Sequence, residues 1–162
     1  MKPRNSSDTH PLVRLPHVMK ALEDAHSHFR LIEAQSPEAE AIADWIESHF
    51  PIIGVQIDRS RVQSHECVEW SEIGDLVRAF DSMAQAHTGT ASVVVTWSDA
   101  LRPSLEMKLS DAIRIAPQLF DEVFDTWIVC QKENWCIEMH HEGTLCFGEG
   151  RNPFVFLGTK LS

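Results

Sequence analysis

Residues 125–148, DTWIVCQKENWCIEMHHEGTLCFG, are the stretch that decides the fold of this chain. Three short apolar runs are separated there by two polar breaks, at residues 132–134 and 141–143. Short runs rich in β-branched and aromatic residues, bounded by turn-forming residues, are typical of strands joined by hairpins. The segment therefore predicts a three-stranded antiparallel meander.

Two three-residue loops would set the register of this meander. The loop 141–143 pairs His140 with Thr144 and puts Gly143 where a left-handed residue is needed. The loop 132–134 pairs Gln131 with Trp135, and Cys130 then lies directly across from Cys136. One face becomes an apolar core face, formed by Trp127, Val129, Trp135, Ile137, Met139, Leu145 and Phe147. The other face holds Ile128, Cys130, Cys136, Glu138, His140, Thr144 and Cys146.

The rest of the chain alternates between helical and strand-like patterns. Apolar residues recur at helical spacing over residues 15–34, 36–50 and 71–86, and more weakly from residue 110. Ser36 is the expected N-cap of the second helix, and Pro37 fits its first position. Strand-like runs occupy residues 52–57, 91–97 and 105–109. Residues 1–11 predict a loose tail, and residues 153–159 predict a final strand or an extended cover.

Helices that cluster early and strands that cluster late favour one α+β domain over residues 12–162. We expect the N-terminal helices to pack on a mainly antiparallel sheet that ends in the meander. The chain has 162 residues and is 43% hydrophobic, which suffices for a core of this kind.

The net charge of the chain indicates the class of partner, and the absence of targeting signals indicates the compartment. The formal net charge is −10, which argues against nucleic acid and favours a basic protein partner, or solubility alone. No apolar run approaches the length of a membrane span, and the N-terminus lacks an apolar export signal. These features predict a cytoplasmic protein, and the four cysteines are then expected to be reduced thiols.

The thiols and imidazole of the meander suggest a metal site as an alternative. A zinc ion could be held by Cys130, Cys136, His140 and Cys146, since Zn²⁺ accepts tetrahedral sulfur and nitrogen ligands. Their spacing, C-x5-C-x3-H-x5-C, differs from the usual zinc knuckles, so the favoured interpretation has no metal and treats cysteine as a small hydrophobic residue. The geometry also permits a disulfide between Cys130 and Cys136, which the expected compartment disfavours.

Catalytic motifs are not evident. A thiol nucleophile could pair Cys146 with His140, or Cys67 with His65, but carboxylates next to either thiol oppose thiolate formation. If His140 and His141 both lie in a strand, their rings point to opposite faces and cannot bind one ion together. There is no phosphate-binding loop, no G-x-S-x-G and no H-E-x-x-H motif.

Acidic residues concentrate in two zones that could attract a basic partner. The first zone surrounds Trp70 and the second includes Glu133, while Trp70 and Trp135 are candidate aromatic anchors. The candidate partner-binding residues are Glu66, Glu69, Trp70, Glu72, Asp75, Glu138 and Glu142.

The pattern W-I-V-C-x4-W-C-I-E-M-H-H-E-G-T-L-C-F-G, over residues 127–148, resembles the C-terminal strands of bacterial immunity proteins of polymorphic and contact-dependent toxin systems. The resemblance implies a cytoplasmic, non-enzymatic protein that binds a toxin domain, often a basic nuclease, and blocks its active site. It assigns no individual binding residue. Two alternatives remain: a small metal- or thiol-dependent enzyme that uses the Cys/His face of the meander, and a phage or bacterial adaptor protein.

Overall fold

A computed structural model of the protein describes residues 15–86, 91–123 and 125–151. The predicted loose tail and the predicted final strand lie outside these residues. The described elements are, in chain order, α1 (Pro16–Asp24), β1 (Phe29–Ile32), α2 (Pro37–His49), β2 (Ile52–Ile53), β3 (Gln56–Ile57), a 3-10 turn (Arg59–Arg61), β4 (His65–Glu69), α3 (Ile73–Gln85), β5 (Ser92–Trp97), β6 (Ser104–Lys108), α4 (Leu109–Arg114), α5 (Ala116–Phe120), β7 (Thr126–Cys130), β8 (Trp135–His140) and β9 (Thr144–Glu149).

Seven of these strands form one antiparallel sheet, in the order β1-β6-β5-β7-β8-β9-β4. The predicted meander is confirmed as β7-β8-β9, within this sheet. The strands β2 and β3 form a separate hairpin. The predicted α+β class, with N-terminal helices on an antiparallel sheet, is therefore confirmed.

The predicted register is right for one hairpin of the meander and wrong for the other. His140 pairs with Thr144, as expected from the loop 141–143. In the first hairpin Cys130, not Gln131, pairs with Trp135, so the loop has one more residue than predicted and covers residues 131–134. Asn134 closes this longer turn in a left-handed conformation, with φ +58°.

This one-residue shift exchanges the two faces of β7, because strand side chains alternate with a period of two. Ile128 and Cys130 join Ile137 on what we call the first face of the sheet. Trp127 and Val129, predicted on the core face, lie instead on the second face with Cys136 and Glu138. The predicted placement of Cys130 across from Cys136 is therefore wrong.

Both faces of the sheet are covered, each by different helices. The four helices α1, α3, α4 and α5 supply Leu22, Phe80, Leu109 and Leu119 to the core on the first face. On the second face a smaller core combines Ile42, Ile46 and Phe50 of the α2 segment with Ile57 of β3 and with Val94, Val129 and Cys136 of the sheet. The second face of the meander is thus a buried layer.

The local signals for α2 are confirmed. The Ser36 side chain accepts a hydrogen bond from the Ala39 N–H at 3.2 Å, and Pro37 occupies the first turn. The sequence pattern predicts an inner stripe of Ile42, Trp45, Ile46 and Phe50; Ile42, Ile46 and Phe50 are buried, and Trp45 is half-buried against the same core.

The helix predicted over residues 15–34 is wrong beyond Asp24, where α1 ends. Residues Phe29 and Ile32 belong to β1 and pair with Met107 and Ser104 of β6. The spacing of these apolar residues fits a helix as well as a strand, and the pairing with β6 makes the segment a strand.

Three further boundaries differ from prediction. The strand expected over residues 52–57 divides at Gly54, whose φ is +62°, into the β2–β3 hairpin. The third helix begins at Ile73, two residues later than expected. The strand β4 was not predicted, because most of its side chains are exposed and it has no alternating apolar pattern.

Candidate functional site

The strand β4 is the outermost strand at one end of the sheet and pairs only with β9 among the described residues. Glu66 and Glu69 on this strand are exposed, as is Glu72 just beyond it. Because side chains alternate along a strand, Glu66 and Glu69 point to opposite sides of the sheet. Negative charge therefore surrounds this edge on both sides.

A backbone contact brings the second acidic zone to the same place. The Trp70 N–H donates a hydrogen bond to the Gly143 carbonyl at 2.9 Å, just after Glu69 pairs with Thr144. Glu142 precedes Gly143, and its side chain is 75% exposed. We call Glu66, Glu69, Glu72 and Glu142 together the acidic edge.

Two other predicted partner-binding residues, Trp70 and Asp75, lie next to the acidic edge but are less accessible to a partner. Trp70 is half-buried against the core of the first face, and its buried indole Nε1 has no hydrogen-bond partner among the described residues. Asp75 is half-buried and forms an ion pair with Arg78 on the same helix. Trp70 thus helps to position the edge, and Asp75 already has a cationic partner on its own helix.

The prediction that Glu138 binds a partner is wrong, because its side chain is 3% exposed. Its Oε1 atom lies 2.5 Å from Nη2 of Arg59. Its Oε2 atom accepts hydrogen bonds from the Ile57 N–H at 3.0 Å and from Nε1 of Trp127 at 2.8 Å. The β2–β3 hairpin and the following 3-10 turn cover this carboxylate and give it a structural role.

Trp135, the other candidate anchor, is also buried, at 2% exposure. Its Nε1 atom donates to Oε2 of Glu133 at 3.0 Å. It packs within the core of the first face, so its ring is not accessible to a second protein.

The predicted zinc ligands are not brought together. Cys130 belongs to the core of the first face and Cys136 to the core of the second. Cys146 is bonded to Cys67, its register partner across β9 and β4, with Cα atoms 4.1 Å apart. The expectation of four reduced thiols is therefore wrong for Cys67 and Cys146, which sequence reasoning did not pair because β4 was not recognised as a strand.

The same arrangement leaves no thiol suited to nucleophilic catalysis among the described cysteines. Burial raises the pKa of Cys130. Burial also raises the pKa of Cys136, and the neighbouring Glu138 carboxylate raises it further. Both thiols are buried and favour the protonated, unreactive form.

The rings of the two adjacent histidines converge. His140 ends β8, but His141 already lies in the turn, so the strand alternation that would separate them does not apply. Their ring centroids are 4.5 Å apart. Both approach the carboxylate of Asp125, which lies 2.9 Å from Nδ1 of His141 and 3.9 Å from Nε2 of His140.

Sequence reasoning missed Asp125. In the observed register Thr126 pairs with Met139, so Asp125 stands beside His140 at the next position of the two strands. The predicted register displaced β7 by one residue, so it did not place Asp125 next to His140. A correct loop length at residues 131–134 would have done so.

A cavity of about 510 Å³ lies on the second face, between α2, the β2–β3 hairpin and the connection from β5 to β6. Most of its surface is apolar and is formed by residues that include Ile42, Ile46, Val55, Trp97 and Trp127. Arg102 at its wall is neutralised by ion pairs with Asp99 and Glu122.

Comparisons with known proteins identify no family. Neither a scan against models of protein families nor a search of curated proteins finds a match to this chain. Within the described residues, every helix is too short or too polar to cross a lipid bilayer.

Proposed function

We propose that this protein is a non-enzymatic binding module of the immunity type, which holds a basic toxin domain at the acidic edge and blocks its action. The observation that carries the proposal is the exposed edge strand β4 with carboxylates on both of its sides. Among the described residues, Glu66, Glu69 and Glu72 form no salt bridge with a lysine or arginine of the chain itself. Their charge is available to a partner.

The edge offers backbone groups as well as charge. A strand at the end of a sheet has one row of N–H and C=O groups that lacks a neighbouring strand, and a partner segment can pair with it. Carboxylates beside such an edge repel acidic chains, including other copies of this protein, and attract basic ones. The same charge disfavours nucleic acid, because phosphate groups require a basic surface.

The test begins with the protein encoded directly upstream of this chain, because an immunity gene normally follows its toxin gene; we expect that protein to carry a basic domain. Binding is measured by calorimetry for the protein and for the variant Glu66→Gln/Glu69→Gln/Glu72→Gln. The matched control, Glu23→Gln/Glu33→Gln/Asp44→Asn, removes the same formal charge from exposed positions elsewhere.

We expect the edge variant to weaken binding at least about tenfold, and the control to change it less than about twofold, because close charge pairs contribute more than distant charge. Affinity that is equal in the two variants, or that does not change with salt concentration, would contradict a role for the acidic edge. An equal loss in both variants would indicate that only net charge matters.

A cytoplasmic location belongs to the same proposal. The Cys67–Cys146 bond counts against this location, because disulfides persist mainly in oxidising compartments, and cell fractionation decides between the two. We expect cell fractionation to recover the protein in the cytoplasm. Recovery from the periplasm or the medium would contradict this part of the proposal.

A further inference from the structure

We propose that Asp125, His140 and His141 form a binding site for a divalent transition-metal ion, and that zinc fits it best. Each residue offers one ligand atom, and the three atoms lie within 4.8 Å of one another. This inference does not depend on the proposed toxin partner. It also differs from the predicted zinc site, with which it shares only His140.

The distances suit a small metal ion. Zinc lies about 2.0 to 2.2 Å from imidazole nitrogen and carboxylate oxygen, so neighbouring ligand atoms in a tetrahedral site are about 3.3 to 3.5 Å apart. Here the Asp125 Oδ1 atom lies 2.9 Å from His141 Nδ1 and 3.9 Å from His140 Nε2, on either side of that value. Each of these two distances differs from the tetrahedral value by about half an ångström, which small side-chain rotations can supply.

The charge of Asp125 also calls for a cation. Its side chain is 6% exposed, and a buried carboxylate is costly without a compensating positive charge. No lysine or arginine in residues 15–86, 91–123 and 125–151 forms a salt bridge with it. The backbone N–H of His141 donates to its Oδ1 atom at 3.0 Å, and Nδ1 of the same residue lies 2.9 Å from that oxygen, so these contacts hold the carboxylate in place without a lysine or arginine.

The far side of the His140 ring is placed to support a metal ligand. Its Nδ1 atom accepts a long hydrogen bond, 3.4 Å, from the Glu142 N–H, which is the arrangement expected of the tautomer with its proton on Nε2. Metal binding at Nε2 requires this proton to move to Nδ1, and the exposed Glu142 carboxylate, now 3.8 Å away, would have to move closer to accept a hydrogen bond from it. A carboxylate behind a ligating imidazole is the common arrangement in zinc sites.

The chemical type of the three ligand atoms indicates which metal ions the site prefers. Two imidazoles and one carboxylate suit zinc and neighbouring transition metals, whereas Mg²⁺ and Ca²⁺ prefer a shell of oxygen atoms. Three protein ligands leave the fourth tetrahedral position for solvent. The site is held by the end of β8 on one side and by the start of β7 on the other.

The test is calorimetric titration of the full, oxidised chain with ZnCl₂, with MgCl₂ as the ion control. We expect one zinc ion to bind per chain, to raise the thermal midpoint, and to be unaffected by excess Mg²⁺. The variants His141→Ala and Asp125→Asn should each weaken zinc binding at least about tenfold, since even changes to supporting residues reach that size at metal sites. His141 is half-exposed, whereas Asp125 and His140 are buried, so it is the first of the three residues to replace.

The matched control is His28→Ala, which removes an exposed imidazole outside the cluster and should leave zinc affinity unchanged. Circular dichroism confirms that each variant is folded before titration. The proposal is overturned if the native chain binds no zinc. It is equally overturned if folded His141→Ala and Asp125→Asn bind zinc as the native chain does, in which case the three residues form only a hydrogen-bonded turn.

Discussion

At the scale of single residues, burial decides what a charged or polar side chain can do. Glu66 and Glu138 are both strand glutamates, and the sequence places both among the candidate partner-binding residues. One is exposed on an edge strand, and the other is covered by the β2–β3 hairpin and bonded to Arg59. Only the exposed residue remains a candidate for binding.

Removing Arg59 should destabilise the protein strongly, because it leaves the Glu138 carboxylate buried without its counter-charge. We expect Arg59→Met to lower the free energy of unfolding by about 3 to 5 kcal/mol, the cost of breaking a buried ion pair. The measurement is equilibrium urea denaturation. Arg61→Met, at an exposed position of the same 3-10 turn, is the control and should change stability by less than about 0.5 kcal/mol. Equal losses in the two variants would refute this role of Glu138.

The buried thiol of Cys136 predicts a loss of stability at alkaline pH. Burial raises its pKa in the folded protein above the ordinary value of 9.0, so the unfolded chain releases the thiol proton first as the pH rises. The stabilising contribution is therefore complete below about pH 9 and is lost as the pH rises from there toward the folded-state pKa.

We expect unfolding free energies measured by urea denaturation between about pH 8 and about pH 10 to fall more steeply for the native chain than for Cys136→Ala. The difference in slope should approach about 1.4 kcal/mol per pH unit above pH 9, which corresponds to one proton. Parallel pH profiles for the two proteins would show that the thiol does not contribute in this way.

At the scale of elements, turns set the register of the sheet and the position of the acidic edge. Gly143 adopts φ +99°, and a Cβ atom there would lie 2.9 Å from the Trp70 carbonyl oxygen. The carbonyl of the same glycine accepts the Trp70 N–H, so it joins the β8–β9 turn to the end of β4. This position therefore requires a residue that tolerates a positive φ and has no Cβ atom to contact the Trp70 carbonyl oxygen.

Gly143→Ala should therefore lower the free energy of unfolding by about 2 to 3 kcal/mol, because it adds steric overlap to the cost of a positive φ. Gly54→Ala is a matched control, since Gly54 also has a positive φ, +62°, but a Cβ atom added there would meet no other atom within 4 Å. Gly54→Ala should lower the free energy of unfolding by about 1 to 2 kcal/mol, because only the positive φ disfavours alanine there. Chemical denaturation measures both, and a control loss as large as that of Gly143→Ala would rule out the steric contribution.

At the scale of the whole molecule, one covalent bond ties the edge strand to the sheet. The Cys67–Cys146 disulfide joins residues 79 positions apart and holds β4, which carries two carboxylates of the acidic edge, against β9. A cross-link over such a distance restricts the unfolded chain strongly.

We expect Cys67→Ser/Cys146→Ser to lower the free energy of unfolding by about 2 to 4 kcal/mol. Reductant should lower the stability of the native chain by a similar amount and leave the double variant unchanged, as measured by urea denaturation with and without reductant. Alkylation of the unreduced, unfolded native chain should modify two cysteines only. Four modified cysteines would show that the bond does not form.

The sequence alone determined the features that depend on local patterns. The apolar runs of the meander, the Ser36 cap and the loop 141–143 each depend on a few neighbouring residues, and each is confirmed. The α+β class follows from the order of these patterns along the chain. Local propensity and hydrophobic periodicity are enough to predict them.

Only the tertiary structure decided which side chains are buried and which distant residues meet. The extra residue in the loop 131–134 exchanged the faces of β7, and β4 became a strand only by pairing with β9. These events buried Glu138, separated Cys130 from Cys136, joined Cys67 to Cys146 and brought Asp125 to His140 and His141. The physical reason is that register and contact depend on how one segment pairs with another, across a short loop or far along the chain, and the pattern of either segment alone does not encode that pairing.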